Sequence, residues 1–485
     1  MDVTTWGTVI LIVDYTIKIM AVGLIPENRH PSSSIAWLLI VLLLPVVGLP
    51  LFLIIGSPFV SGRRHRIQQQ INQATKEGLA EFPTTPQQVT ADAQLRSMME
   101  LNRQLTGMPA VVGHNLGVVS GYEAAIAAMA QAVDEAQSYV HVQSYIMAWD
   151  DTTEIFFEAL RRAKDRGVAV RVLFDHIGSR PYPGYGALKR KLTECGFEWR
   201  LMMPMLPLKR RVRRPDLRNH RKMLVVDGAT AFMGSQNMID SSYLKRKHVR
   251  VGRHWNDCMV KVSGPIVAEL AAVFASDWYA ESGERLDIAL PPYDLDAEVG
   301  GPANLFQLVP SGPGYSTDPN LRLFTSLMYR ATRKLTLVSP YFVPDESMLH
   351  AVTTAAYRGV EVELFVSEQA DQFVVDHAQS SYYAALLEAG LRIFRLPRPD
   401  VLHSKFFVVD DDVAVFGSSN LDMRSFQLDY EITLLGTGGD FVAQCRQVAD
   451  DYRDRCTELT REQWESRPIR RRYVDNVMRL TSALM

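Results

Sequence analysis

Cysteine is scarce in this chain: Cys195, Cys258, Cys445 and Cys456 are the four in 485 residues, and none sits in a CxxC pair or at ligand spacing from a histidine. That excludes a disulfide framework and a structural zinc site, and reads as reduced thiols of a cytosolic protein. An excess of either charge is also missing. The 52 basic and 54 acidic side chains leave a net charge of −2, which excludes a globally basic nucleic-acid coat but permits local basic patches. No obvious carboxylate cluster for magnesium is seen, so neither a metal nor another cofactor is expected. No small-residue cleavage site follows the N-terminal apolar runs, which argues against a removable signal. With 47% hydrophobic and 22% charged residues, the disordered and fibrous classes are excluded, and the length suggests two to four domains.

Residues 36–55 read AWLLIVLLLPVVGLPLFLII, twenty residues without a charge. As one helix they would reach about 30 Å, the thickness of the hydrocarbon core, with Pro45, Gly48 and Pro50 kinking the helix or making it re-entrant. An earlier run, 6–25, is apolar apart from Asp14 and Lys18, which stand at i and i+4 and could neutralise each other. Each charge alone costs about 2.5–3.5 kcal/mol at a helix centre, so this run either spans or lies in the interface. Arg63, Arg64 and Arg66 follow the second run, and the positive-inside bias places the rest of the chain in the cytoplasm. The expected arrangement is a multi-pass hairpin over 1–62, then a linker with an amphipathic helix over 63–107.

Beyond it the chain repeats itself. Asn219-His220-Arg221-Lys222 leads through Met-Leu-Val-Val to Asp227, then Gly234-Ser235-Gln236-Asn237. Leu402-His403-Ser404-Lys405 leads through Phe-Phe-Val-Val to Asp410, then Gly417-Ser418-Ser419-Asn420. Each matched pair, from His220/His403 to Asn237/Asn420, lies 183 residues apart without a gap. The flanks repeat as well: strand-like 139–145 matches 335–341, and each is followed by a helical stretch and an apolar run. Strands alternating with helices predict βαβ units, hence two pseudo-symmetric α/β domains with mixed, largely parallel sheets, over 108–300 and 301–485. The seam is expected in the Pro- and Gly-containing stretch 291–302.

A histidine and a lysine at i and i+2 on a strand share one face. With the neutral donors of Gly-Ser-x-Asn, that face suits an oxyanion or phosphate. Two copies give two imidazoles: one to attack phosphorus, one to give a proton to the leaving alkoxide. Lys222, Lys405, Asn237 and Asn420, with Ser235 and Ser418, are the candidate phosphate holders. Each histidine needs a partner at its other ring nitrogen. Counting along each half, Glu431 follows His403 by 28 residues and Asp257 follows His220 by 37, which suggests those two pairings. Asp227 and Asp410 complete the motif and read mainly as structural, fixing the turn or the lysine.

These residues resemble the paired HKD motifs of the phospholipase D superfamily. Val309-Pro-Ser-Gly-Pro313, Ser339-Pro-Tyr-Phe-Val-Pro344, Asn420-Leu-Asp-Met-Arg-Ser425 and the N-terminal Leu44-Pro-Val-Val-Gly48 are similar to the bacterial cardiolipin synthases within it. The resemblance runs over nearly the whole chain. It implies phosphatidyl transfer between two phosphatidylglycerol molecules through a phosphohistidine, yielding cardiolipin and glycerol. Superfamily precedent favours His220 as nucleophile and His403 as acid/base. The same residues also serve hydrolysis to phosphatidic acid and, on another substrate, a nuclease. The implied partners are phosphatidylglycerol and anionic membrane lipids in a bacterial cell membrane, without nucleic acid. The basic run 209–222 reads as a lipid headgroup surface, a solvated loop or a nucleic-acid patch. The tail from Arg467 to Leu480 either lies on the membrane or caps the second domain.

Overall fold

The computed structural model describes residues 3–27, 31–56, 91–206, 211–212, 214–287, 303–315 and 317–480, with Ile67, Gln70 and Gln73 singly. Most of the expected linker, the seam at 291–302, Arg63, Arg64, Arg66 and the head of the basic run (207–210) lie outside them.

At the N-terminus, Val3–Leu24 is one helix, long and apolar enough from Trp6 to Leu24 to cross a membrane. Lys18 Nζ reaches Asp14 Oδ2 at 2.8 Å one turn away, so the two charges neutralise each other on the helix surface. The run 36–55 is not one span. Helix Pro31–Leu43 stops at Leu44, and Pro45–Leu51 continues into a π-turn, Phe52–Gly56. The second arm folds back on the first. Trp37 meets Phe52 edge-on at 5.7 Å, and a Cβ on Gly48 would sit 2.6 Å from the Ile40 carbonyl oxygen. Pro45 has no N–H to donate to the preceding turn, so the helix breaks there, and Gly48 allows the backbones to touch. Arms of 11–13 residues reach only about 20 Å, short of a hydrocarbon core. Of the two expectations for 36–55, the kinked span of about 30 Å is therefore corrected, and the helical hairpin has the fold-back of the re-entrant alternative.

The rest is built on one long sheet. Its strands are β1 (Ala110–Val119), β2 (Tyr139–Ser144), β3 (Ala169–Asp175), β4 (Glu198–Met202), β5 (Met223–Val226), β6 (Thr230–Gly234) and β7 (Met259–Ser263) in the first half. In the second half they are β8 (Asn304–Ser311), β9 (Lys334–Val338), β10 (Glu361–Ser367), β11 (Arg392–Leu396), β12 (Phe406–Val409), β13 (Val413–Gly417), β14 (Asp429–Gly438) and β15 (Thr457–Leu459). The spatial order is β15-β11-β10-β9-β12-β13-β14-β8-β1-β7-β6-β5-β2-β3-β4. Read outward from the β1/β8 pair, the first seven strands on each side match one for one. Each half is a mixed α/β sheet. The βαβ units β2-β3-β4 and β9-β10-β11 run parallel, while the motif hairpins and the strands toward the seam run antiparallel.

The halves meet through β1 and β8, antiparallel with Ala110 opposite Gln307 and Gly113 opposite Asn304. Helices Ile266–Ser282 and Phe441–Arg455 cover one face of this junction. Their Phe274, Trp278 and Phe441 share a continuous buried cluster with Phe306 and Phe416, so the β1/β8 junction is core, not a hinge. Burying a phenylalanine such as Phe306 is worth about 3–5 kcal/mol by truncation to alanine.

Candidate active site

Each motif histidine sits just before its hairpin, on a short segment that leaves its own half. Arg218–Asn219 pairs in parallel with Asp429–Tyr430 at the start of β14, and His220 N donates to the Tyr430 carbonyl at 2.8 Å. Val401–Leu402 pairs in parallel with Trp255–Asn256 of the first half, and His403 N donates to the Asn256 carbonyl at 2.9 Å. The next residue on each borrowed strand is a carboxylate. The pairing is therefore crossed, which corrects the one counted along the chain. His220 Nδ1 lies 2.9 Å from Glu431 Oε1, and His403 Nδ1 lies 2.7 Å from Asp257 Oδ1. Neither half holds a complete histidine–carboxylate pair. With Nδ1 held by an acceptor, each ring carries a proton there and turns its Nε2 away from the carboxylate.

The Gly-Ser steps explain how the strands come so close. A Cβ on Gly234 would meet the Cys258 carbonyl oxygen at 2.4 Å, and one on Gly417 the Ile432 carbonyl oxygen at 2.3 Å. Only glycine fits. The serines that follow are not turned to a phosphate: Ser235 Oγ donates to Asp257 Oδ1 at 2.6 Å, and Ser418 Oγ donates to Glu431 Oε2. Phosphate binding by these hydroxyls is corrected to anchoring of the two carboxylates. Asn237 is also engaged at both ends, accepting from Ile146 N at 3.0 Å and donating to Tyr243 Oη at 2.9 Å. Asn420 differs, because its buried Oδ1 has no partner among the described residues.

Lys222 and Lys405 are buried, and each donates one ammonium hydrogen to the carbonyl of its motif histidine at 2.6 Å. Two donors remain on each for an anion. Asp227 and Asp410 stand elsewhere, at left-handed turns with φ of 54° and 51°. Asp227 accepts from the backbone N–H groups of Gln137, Ser138 and Tyr139. Asp410 accepts from those of Thr332, Arg333 and Lys334. They tie the motif hairpin to the entry of the first parallel strand and touch neither the histidines nor the lysines. Of the two structural roles expected for them, their contacts serve the turn and not the lysine, and they take no place among the catalytic groups.

The electrostatics are unequal. Burial, with the charges of Lys222, Lys405 and His403, drives the His220 imidazole well below its usual range, so this ring is neutral. Burial pushes Glu431 up to about 7, only partly offset by Lys222 and the Ser418 hydroxyl. Burial would raise Asp257 too, but the His403 and Lys405 charges and the hydrogen bonds from His403 and Ser235 outweigh it and hold its carboxyl below its usual value. Burial lowers Lys405 to about 8 and Lys222 well below its usual range. Two imidazoles and two lysines that can share protons in one dry place suit attack on a phosphodiester with charge developing on its oxygens.

Some neighbours left little trace in the sequence. Tyr145 packs edge-on to His220 at 4.9 Å, and Tyr243 to His403 at 6.4 Å. Beneath His220, Arg221 donates to Asp277 at 2.8 Å and to the Glu431 carbonyl at 3.0 Å. The 145/341 match hinted at Tyr145; nothing flagged Asp277. His141 stacks on Phe274 and His377 pairs with Asp475, both outside the site.

A family model described as cardiolipin synthase, PLD-like domain, matches residues 129–278 and 324–452, one segment in each half. The chain belongs to the cardiolipin synthase family. A second model, described as the phospholipase D-nuclease N-terminal region, matches residues 8–57. The cardiolipin synthase A of Serratia proteamaculans is 31% identical over 99% of this chain and 100% of its own. That of Yersinia pseudotuberculosis is 31% identical over 99% and 98%. The phosphatidylserine synthase of Haemophilus influenzae superposes with a TM-score of 0.59 at 16% identity, covering 81% of this chain and all of its own, and shows the shared fold. As a family member the chain is an enzyme, a phosphatidyltransferase of the cardiolipin synthase type.

Proposed function

We propose that the enzyme joins two phosphatidylglycerol molecules into cardiolipin and glycerol at the crossed site. The observation that carries this is the pair of imidazoles in one buried site with two lysines, each ring fixed through Nδ1 by a carboxylate from the other half. His220, neutral with its Nε2 lone pair free, attacks the phosphorus of one phosphatidylglycerol. His403, which burial holds below its usual range but whose imidazolium the ionised Asp257 beside it stabilises, protonates the departing glycerol oxygen. His403 then takes a proton from the hydroxyl of the second phosphatidylglycerol, which displaces His220 from phosphorus. Lys222, Lys405 and the amide of Asn420 hold the non-bridging oxygens.

The unequal carboxylates support this division of labour. Asp257 stays ionised beside Lys405 and His403, as a stabiliser of imidazolium must, whereas Glu431 shares its surroundings with Asp422 and Asp429 and holds its proton up to about 7. In the membrane, helix Val3–Leu24 crosses with its charges paired, the hairpin over 31–56 sits in one leaflet, and the catalytic halves lie on the cytoplasmic side. Hydrolysis to phosphatidic acid uses the same residues with water as acceptor.

The test is incubation of the purified full chain with phosphatidylglycerol alone in EDTA. Cardiolipin and glycerol in equal amounts, both lost in His220→Ala and His403→Ala, support the reading. Phosphatidic acid as the main product, or no product, overturns it.

A further inference from the structure

Two exposed surfaces carry apolar side chains among cations, and both border the site. The first is the C-terminal helix Ile469–Arg479 with its cap Leu480. At about 100° per residue, Ile469, Tyr473 and Leu480 fall within about 40° of one another, on a single stripe. Arg470 flanks this stripe on one side, Arg472 and Arg479 on the other. The stripe faces outward: Ile469 is 80% exposed, Tyr473 71% and Leu480 78%. The inward face mixes a buried carboxylate with Met478, which packs against the core of the second half. Asp475 is buried against the neighbouring helix Phe373–Ser380, where it accepts from His377 Nδ1 at 2.6 Å and pairs with Arg467. A helix that only caps a domain leaves its outer face polar; this one carries a second, apolar stripe there. Phe373, at the start of the neighbouring helix, adds another exposed ring.

The second surface is the helix Arg246–Val251, in the nine-residue excess of the first half over the second. Val249 and Val251 are exposed there among Lys245, Arg246, Lys247 and Arg250. The flanks of the two surfaces meet: Arg253, just after the helix, donates from Nη2 to the carbonyl of Gln369, four residues before Phe373, at 3.1 Å. They also reach the site. Lys245 lies over Tyr182, Tyr182 packs on Tyr243, and Tyr243 on His403. On the other side, Tyr341 bonds to both Asp371 and Gln372, and the charge of Asp371 is felt at Lys405.

We propose that these two surfaces together form the face with which the catalytic halves rest on an anionic leaflet. Ile469, Tyr473, Phe373, Val249 and Val251 enter the headgroup region, and the surrounding cations contact lipid phosphates. This rests on the lipid-transfer reading and adds to it the orientation of the site: the rim of the His403 side faces the bilayer, so a diacyl substrate reaches the histidines without leaving its leaflet. Exposed apolar groups ringed by cations match the charge of phosphatidylglycerol membranes, and each basic residue near such a surface strengthens association about fivefold.

The test places an environment-sensitive nitrobenzoxadiazole label on Tyr473→Cys in the full chain, with Cys195 and Cys456 changed to Ser, reconstituted in phosphatidylglycerol/phosphatidylcholine vesicles. The expected result is a blue-shifted emission quenched by nitroxide-bearing lipids. In Arg250→Glu/Arg470→Glu/Arg472→Glu, quenching should fall at least tenfold while the N-terminal anchor still holds the protein on the vesicle. Emission that ignores nitroxide lipids overturns the proposal. So does a blue shift that depends on protein concentration in detergent, which would mean a second copy covers the face. The readout needs no turnover, so failure of the cardiolipin reading in the product assay is seen separately.

Discussion

Replacing Glu431 by glutamine separates the crossed pairing from one within each half. The neighbours of this carboxylate are donors: His220 Nδ1 at 2.9 Å to Oε1, the Ser418 hydroxyl to Oε2, and the Ser425 hydroxyl beside them. A glutamine of the same shape offers one acceptor and one NH2 group. Either the Ser418 bond fails, or the imidazole switches its proton to Nε2 and loses the lone pair that attacks phosphorus. A buried hydrogen bond to a charged group is worth about 1.5–3 kcal/mol, and the tautomer penalty adds to it, so kcat falls by about 10²–10⁴. Asp257→Asn is milder, because His403 and Ser235 both donate to the one oxygen, Oδ1, which an asparagine can keep. It loses about 10–10²-fold through the charge alone.

The assay uses a phosphatidyl donor with p-nitrophenol as leaving group, which departs without a proton. Formation of the covalent phosphatidyl-enzyme is followed by rapid quench. His403→Ala and Asp257→Asn should still form the adduct at near wild-type rate, whereas His220→Ala and Glu431→Gln should not. If Glu431→Gln behaves like His403→Ala and Asp257→Asn like His220→Ala, the crossed assignment is wrong.

Four further outcomes are expected. Activity should be bell-shaped in pH: it falls below about 7 as Glu431 takes up a proton and no longer polarises His220, and above about 8 as Lys405 loses its charge, read from kcat against pH. Asp410→Ala removes the acceptor of three backbone N–H groups at a positive-φ turn and should lower unfolding stability by about 2–3 kcal/mol, while kcat per folded molecule changes by less than tenfold. Separately expressed halves should each be inactive, and their mixture active, because each histidine takes its carboxylate from the other half. Asp14→Ala strands Lys18 and should reduce membrane retention against alkaline extraction, whereas Asp14→Leu/Lys18→Leu should restore it.

The duplication was legible because the 183-residue offset is unbroken from His220/His403 to Asn237/Asn420, and the strand order of the two halves follows it. The crossing was not legible. Sequence distance favours Glu431 for His403, and only the parallel pairing of Asp429–Tyr430 with Arg218–Asn219 brings Glu431 to His220. The serines misled for a related reason: Gly-Ser-x-Asn reads as a phosphate-binding turn, but the close approach at Gly234 and Gly417 turns the hydroxyls toward the neighbouring strand's carboxylates. In the N-terminal region, composition located the apolar runs, and Pro45 signalled a break. Counting residues still favoured a span, because a fold-back at Leu44 leaves hydropathy unchanged.

The most direct test of the account is to map the covalent adduct formed by the wild-type enzyme turning over phosphatidylglycerol, quenched in base and read by peptide mass spectrometry with the histidine isomers resolved. With Nδ1 of His220 held by Glu431, the phosphatidyl group should be found on His220 Nε2. An adduct on His403, on a Nδ1 nitrogen, or on neither histidine while cardiolipin accumulates, would contradict it.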